Sequence, residues 1–328
     1  MRTRFISILV LALALLTANG QRSTILAQGH VKAGTTTADI LEAQPGTRPA
    51  AMGGAFVAVA DDVNAVNYNP AGLAFIDKNE LQFNQNNMLE GIISNNINWV
   101  YPLSEMNAKN INDFGVLAGG FNFTDYGQLP GRDASGNATS EFGAKDRIIS
   151  ISYGKAFNPN FSIGVTGREV RQEIYAIKAK GYSFDGGILF KGIINNLSVG
   201  LVAQNMGTKM KFDTDSEPLP GKVVLGSALT LFKDRLTLAA DLNKPVNDYY
   251  YWSLGGEYWL TRVLTVQLGY KTKHDIGNGL TSGIGLNLRE FEFSFLPVAE
   301  LSLNYAYLPH GDLGAEHRLD LVLKMGVE

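Results

Sequence analysis

Leu301-Ser302-Leu303-Asn304-Tyr305-Ala306-Tyr307 and, one turn later, Arg318-Leu319-Asp320-Leu321-Val322-Leu323-Lys324-Met325 decide the fold. Leu301, Leu303, Tyr305 and Tyr307 alternate with Ser302 and Asn304; Leu319, Leu321, Leu323 and Met325 alternate with Arg318, Asp320 and Lys324. Successive side chains of an extended strand point to opposite faces, so a period of two gathers one apolar face. Leu236, Leu238, Ala240 and Leu242, with Thr237 and Asp241 between, repeat the pattern, as do Leu264, Val266, Leu268 and Tyr270 around Thr265, Gln267 and Gly269.

Outward from these stretches, turn residues separate similar segments back to about Asn79. The spacing predicts fourteen strands, near 79–87, 92–101, 114–124, 146–156, 160–170, 179–190, 196–204, 222–232, 234–242, 250–259, 262–271, 280–294, 299–308 and 316–325. An even number brings both ends of the sheet to one side. A soluble β-sandwich shows the same alternation, and three features favour a transmembrane barrel. Aromatics crowd strand ends (Trp99 and Tyr101, 249–252, Tyr258-Trp259, Tyr305 and Tyr307), as interfacial girdles require. Glycine and small polar residues fill the other face (Ser162, Gly164, Thr166; Ser198, Gly200; Ser253, Gly255), which suits a plugged or hydrated lumen. Terse turns such as 157–160 contrast with longer polar stretches at 127–145 and 213–221.

The beginning of the chain reads as an export signal. Met1-Arg2-Thr3-Arg4 is cationic, Ile8 to Leu16 is apolar, and Ala18 and Gly20 offer small residues for cleavage. About nine apolar residues fall short of the roughly 20 a spanning helix needs. The expected division is a signal peptide at 1–27, an N-terminal extension and hatch at 28–77, and the barrel at 78–328.

Composition narrows the chemistry. Cysteine is absent, which removes thiolate metal sites, cysteine nucleophiles and redox pairs. His30, His274, His310 and His317 show no zinc-binding spacing. The net charge of −3 offers no basic field for nucleic acid. Glycine is frequent, 36 of 328 residues, and charged residues are sparse at 18%, against a usual ~7% and ~25%; strands with close backbone approaches follow. No nucleophile elbow or catalytic triad is visible, so no enzyme and no cofactor are expected. Gly277-Asn278-Gly279 misses a dinucleotide fingerprint, because Ser282 stands where the third glycine belongs. Asp213-Thr214-Asp215-Ser216-Glu217 starts like a calcium loop, but Pro218 takes the place of its glycine, and a solvated loop is expected.

The segment before the barrel breaks the alternation. Its residues 48–62 are small and apolar, and Asn67-Tyr68-Asn69-Pro70-Ala71-Gly72-Leu73 holds an Asn-Pro turn. A barrel of about fourteen strands is too wide for wall side chains to fill, so a plug of small residues is expected inside it. Gly53, Gly54, Asp61, Asp62, Asn69, Pro70, Ala71 and Gly72 are its candidate structural or gating residues. The Asp61-Asp62 pair suits either a cation site or a hydrogen-bonded turn, the latter favoured. Arg168, Arg171, Lys178 and Lys180 form a basic cluster across a hairpin, read either as lying near lipid head groups or as ordinary polar-face residues.

This segment, Ala51-Met52-Gly53-Gly54-Ala55-Phe56-Val57-Ala58-Val59-Ala60-Asp61-Asp62 followed by Asn69-Pro70-Ala71-Gly72-Leu73-Ala74, resembles the opening of the PorV/PorQ family, relatives of the FadL-type channels. In chain order, Gln204-Asn205-Met206-Gly207, Pro218-Leu219-Pro220, Asp241-Leu242-Asn243-Lys244-Pro245, Gly255-Gly256-Glu257-Tyr258-Trp259 and Gly311-Asp312-Leu313-Gly314 continue the resemblance over nearly the whole mature chain. It implies a FadL-like barrel in the bacterial outer membrane, contacting lipid. It also implies a docking role in type IX-like protein secretion, with secretion components or exported cargo as partners. The alternative is a channel for a hydrophobic small molecule; a secreted soluble β-protein is a third reading. Shuttle members of that family have larger extracellular loops, and the end Lys324-Met325-Gly326-Val327-Glu328 lacks a terminal aromatic.

Overall fold

The computed structural model describes residues 36–103, 114–133, 135–194, 196–213, 215–273, 277–289 and 298–326. The expected signal peptide, His30, His274 and the 290–294 tail of one expected strand lie outside the described residues.

Sixteen strands follow one another: β1 (Asn79–Asn87), β2 (Ile93–Pro102), β3 (Val116–Leu129), β4 (Phe142–Asn158), β5 (Phe161–Ile174), β6 (Ile177–Ile194), β7 (Leu197–Gly207), β8 (Met210–Phe212), β9 (Asp215–Glu217), β10 (Lys222–Leu231), β11 (Leu236–Pro245), β12 (Tyr251–Trp259), β13 (Leu264–Lys271), β14 (Leu280–Arg289), β15 (Val298–Pro309) and β16 (Ala315–Met325). β8 and β9 form a separate two-stranded sheet; the other fourteen make one closed antiparallel barrel in which β1 pairs with β16, Asn79 opposite Met325. Among the described residues each expected strand is present. Closure leaves no sheet edge with unpaired backbone, the condition for a sheet to stand in hydrocarbon.

The polarity of the wall is inverted relative to a soluble protein. Leu268, Ile151 and Phe184 are 68%, 64% and 59% exposed, whereas Gln82, Asn98 and Ser162 are completely buried. The alternating apolar set therefore faces out and the polar set faces in, and the buried core of a sandwich is excluded. No helix of the described residues is long and apolar enough to cross a membrane; the crossing is made by strands.

Several expectations shift. The polar stretch 127–145 is shorter as a loop than expected, since β3 runs to Leu129 and β4 starts at Phe142. The loop expected at 213–221 contains β9. Tyr251 turns inward and is buried, while Tyr249, Tyr250 and Trp252 stay outside. Both ends of the sheet, Asn79 and Met325, lie at what is here the near end. Among the fully described connections, 159–160, 232–235 and 260–263 join strands there, while 88–92, 175–176, 246–250 and 310–314 join them at the far end.

Candidate functional site

Residues 36–77 run against inward-facing positions all round the wall. At the far end Thr37 donates its N–H to the Pro218 carbonyl (3.0 Å) and its hydroxyl to Gln172 (3.0 Å). Ile40 and Leu41 lie in a short 3-10 turn and are buried with Ile148, Val170 and Ala179 of the wall and with Met210 and Leu219. The chain then descends. Gln44 donates to the Asn67 carbonyl (2.6 Å), and a helical turn, Thr47–Ala51, packs along β13 to β16. Gly53 and Gly54 take φ of 65° and 80°, a left-handed stretch that glycine enters without Cβ strain.

The wall receives this segment through glycine. Gly154, Gly164, Gly187, Gly200, Gly226, Gly255, Gly269 and Gly283 sit on β4, β5, β6, β7, β10, β12, β13 and β14, all facing in. A Cβ on any of them would fall closer than 3.0 Å to an atom of residues 51–74. Gly154 and Gly164 meet Pro70, Gly187 meets Asn69, Gly200 and Gly226 meet Val57, Gly255 meets Met52, Gly269 meets Gly53 and Gly283 meets Ala51. On β11, between β10 and β12 in the wall, Asp241 replaces the glycine and accepts the N–H groups of Phe56 (2.9 Å) and Val57 (3.0 Å). Residues 51–74 thus lie in a girdle moulded to their backbone.

Asn69 ties the segment together. Its Nδ2 donates to the carbonyls of Val57 (2.9 Å) and Ile188 (3.2 Å), and its Oδ1 accepts the Ala71 N–H (3.2 Å), capping the 3-10 turn Pro70–Phe75. Pro70 supplies a fixed φ at the first position of that turn, the Ala71 carbonyl accepts from Ser162 (2.7 Å), and Gly72 lies against Ala60 where no Cβ would fit. Asn69→Asp keeps the shape but replaces two donated hydrogen bonds by a carboxylate facing two carbonyls. The expected loss is about 2 to 3 kcal/mol, read as a lower urea midpoint of the folded barrel.

At the near end, Arg48 gathers the acidic pair. Its Nη1 reaches Asp61 (2.6 Å) and Asp62 (2.7 Å), while Nε and Nη2 fork onto Glu257 of β12 (2.7 and 2.8 Å). Burial opposes the Arg48 charge, but Asp61, Glu257 and Asp62 outweigh it and hold the guanidinium protonated well above its ordinary range. Burial likewise acts to raise Asp61, yet Arg48 prevails and its carboxyl is held below the ordinary value. Asp61 opens onto the cavity at this end, its side chain 45% exposed. Asp62 also accepts from Asn64 N–H (2.9 Å) and Nδ2 (2.8 Å), a hydrogen-bonded turn of the kind the sequence favoured. Sequence reasoning missed Arg48 and Glu257; their separation of 209 residues leaves no local trace.

These charges open on a vestibule of about 910 Å³, lined further by Arg235, Arg262, Asn287, Glu300 and Lys324. It is polar and belongs to the near end. On the other side of the segment a small cavity of about 30 Å³ lies beside Ile40, Leu41, Gln44 and Arg168. Arg168 is not in the basic cluster expected of it: it faces in, paired with Asp185 (2.5 Å).

No family model matches this chain, and no curated protein matches it. Solved structures do. The toluene transporter TodX of Pseudomonas putida aligns with a TM-score of 0.57 at 14% identity, covering 85% of this chain and 96% of its own. The toluene transporter TbuX of Ralstonia pickettii gives 0.56 at 12%, covering 85% and 97%. The monoaromatic hydrocarbon channel CymD gives 0.53 at 13%, covering 85% and 96%. At such identities the likeness is one of fold, that of FadL-like channels. With its closed sheet and apolar exterior, the chain is a β-barrel of the bacterial outer membrane.

Proposed function

We propose that the protein is an outer-membrane channel for hydrophobic small molecules, that residues 36–77 are its hatch, and that the near end faces the periplasm. The observation that carries this reading is the apolar cluster at the far mouth. Most of the inner wall is polar, charged or glycine, but there Ile148, Val170, Ala179, Met210 and Leu219 converge on Ile40 and Leu41. A concave apolar site with a few polar groups at its rim is what a small hydrophobic ligand requires. In this state it is filled by the chain itself, and entry requires the 38–43 turn to move. Gln204, donating to the Tyr68 carbonyl (2.6 Å), and Gln44 interrupt any apolar path below it. The shape is shared with transporters of toluene and channels for monoaromatic hydrocarbons, which supports the same class of solute. Neither the fold nor these neighbours support a docking role in protein secretion.

The test is uptake of radiolabelled toluene and oleate by cells expressing the protein. The wild type is expected to raise uptake over cells with an empty vector. Ile40→Ala/Leu41→Ala, which empties the mouth, is expected to raise the initial rate severalfold, and Ile148→Asn to abolish the gain. Uptake unchanged by all three proteins would reject the channel, and co-purification of secretion components would then restore the docking role.

A further inference from the structure

The outward face of β4 to β6 at the far end carries a charge pattern that transport does not use. Arg147 stands directly opposite Arg171, and Arg171 directly opposite Lys180, on three neighbouring strands. All three side chains share the outward parity of Ile149, Ile151 and Phe184. One step towards the rim, Lys145, Glu173 and Lys178 form a second row. Like charges in directly opposed positions destabilise a sheet, so three adjacent cations call for an anion.

The wall supplies only part of it. Glu169 is shared between Arg171 (2.5 Å) and Lys180 (2.6 Å), Glu173 meets Lys178 (3.3 Å), and Asp125 meets Lys145 at 3.7 Å. On these outward positions five cations, Lys145, Arg147, Arg171, Lys178 and Lys180, thus face three carboxylates. Arg147 lies over the Phe123 ring (5.8 Å) and Lys180 over the Tyr182 ring (4.9 Å). Cations set just above rings mark the membrane interface.

Height agrees. Below the row the outward residues of β4 are apolar at Ile149, Ile151, Tyr153 and Phe157, with Lys155 between. At ~3.3 Å per residue and a strand tilt of ~40°, the stretch from Ile149 to Phe157 spans roughly 20 to 25 Å of bilayer, the apolar band of such barrels. The cations therefore lie at the head-group level of the leaflet at the far end.

We propose that this face binds the phosphate groups of an outer-leaflet glycolipid. Two guanidiniums in line offer forked donors matched to phosphate oxygens, Lys180 adds a point charge, and the rings below contact the lipid's apolar part. The inference rests on the outer-membrane location and on the orientation proposed above, with the near end towards the periplasm, and is independent of the solute the channel carries.

The experiment is native mass spectrometry of the full mature protein in detergent, titrated with bisphosphorylated lipid A and with the same glycolipid after its phosphates are removed. Wild type is expected to bind the phosphorylated form on the order of tenfold or more tightly. Arg147→Ala/Arg171→Ala/Lys180→Ala is expected to lose that preference while keeping the heat-modifiable gel shift of a folded barrel. Glu169→Gln, which removes the competing carboxylate, is expected to tighten phosphate binding severalfold. A purely structural ion network predicts no such gain. Equal binding of the two lipids by wild type, an unaltered preference in the triple variant, or no gain in Glu169→Gln overturns the proposal.

Discussion

Gly164→Val and Gly269→Val are each expected to eliminate most of the folded, heat-modifiable barrel. The added Cβ at 164 would overlap Pro70 and Ala71, and at 269 it would overlap Gly53 and Met52. The obstructing atoms are largely backbone, and the neighbouring strands already meet the same stretch at contact, through Gly154 and Gly187 beside 164 and through Gly255 and Gly283 beside 269, so neither side can yield by turning a rotamer. Overpacking of a close-fitted interior ordinarily costs about 1 to 3 kcal/mol, and a clash with backbone falls at or above the upper end. The check is the folded fraction after refolding into detergent, with Gly186→Val as the control. Gly186 faces outward and a Cβ there meets nothing within 4 Å, so that variant is expected to fold like the wild type. A Gly164→Val barrel that folds normally and conducts ions freely would mean that residues 51–74 leave the lumen without penalty, contrary to a fixed hatch.

Arg48→Met is expected to have the next largest effect. It strips Glu257, 3% exposed, and Asp62, 12% exposed, of the guanidinium that bonds both. Removing one partner of a buried ion pair costs about 3 to 5 kcal/mol. Asp61 contributes little to that loss, because the vestibule hydrates it. The consequence is local as well as global: residues 47–62 lose their tie to β12, so, on the proposed hatch reading, planar-bilayer conductance rises along with the fall in urea midpoint. Arg48→Lys is expected to recover only part of both, since an ammonium cannot fork onto Glu257 while reaching Asp61 and Asp62. Acid separates the proteins further. Asp61 titrates below its ordinary value of 3.8 in the folded chain, so its contribution is complete above that value and is lost as pH falls through the depressed one. Wild type should lose this increment of stability below about pH 4, and Arg48→Met, which has already lost it, should not.

The wall was legible because one physical demand, hydrocarbon on one face and a polar interior on the other, is written as alternation in each strand. The misreadings have the same source. Lys145 and Arg147 are polar outward residues above the bilayer and break the period, so β4 was expected to start at 146 rather than at Phe142. The aromatic run 249–252 contains both parities, so it could not all face lipid, and Tyr251 turned in. The fit of residues 51–74 against the inner wall was half legible. Gly164, Gly200 and Gly255 stood out as small residues on the polar face, and they are three of the eight that make the girdle. What they touch could not be read, because a glycine's partner leaves no complementary pattern in the chain. Asp61 and Asp62 were visible as a pair, but the pair is completed by Arg48 and by Glu257, which only closure of the barrel brings near.

The girdle also constrains the order of assembly. β1 and β16 meet only after all the intervening strands exist, so the seam from Asn79 to Met325 is the most non-local pairing in the wall and among the last to form. Once that seam is shut, the lumen is a ring whose inner contour follows a folded peptide, with bonds to it from Asp241 and Asp320 on one side and Ser162 on the other. A chain with prolines at 45, 49 and 70 and with crossed hydrogen bonds cannot be threaded into such a ring afterwards. Residues 36–76 must be in place before the last eleven strand residues arrive, and the segment acts as the form around which the sheet is bent.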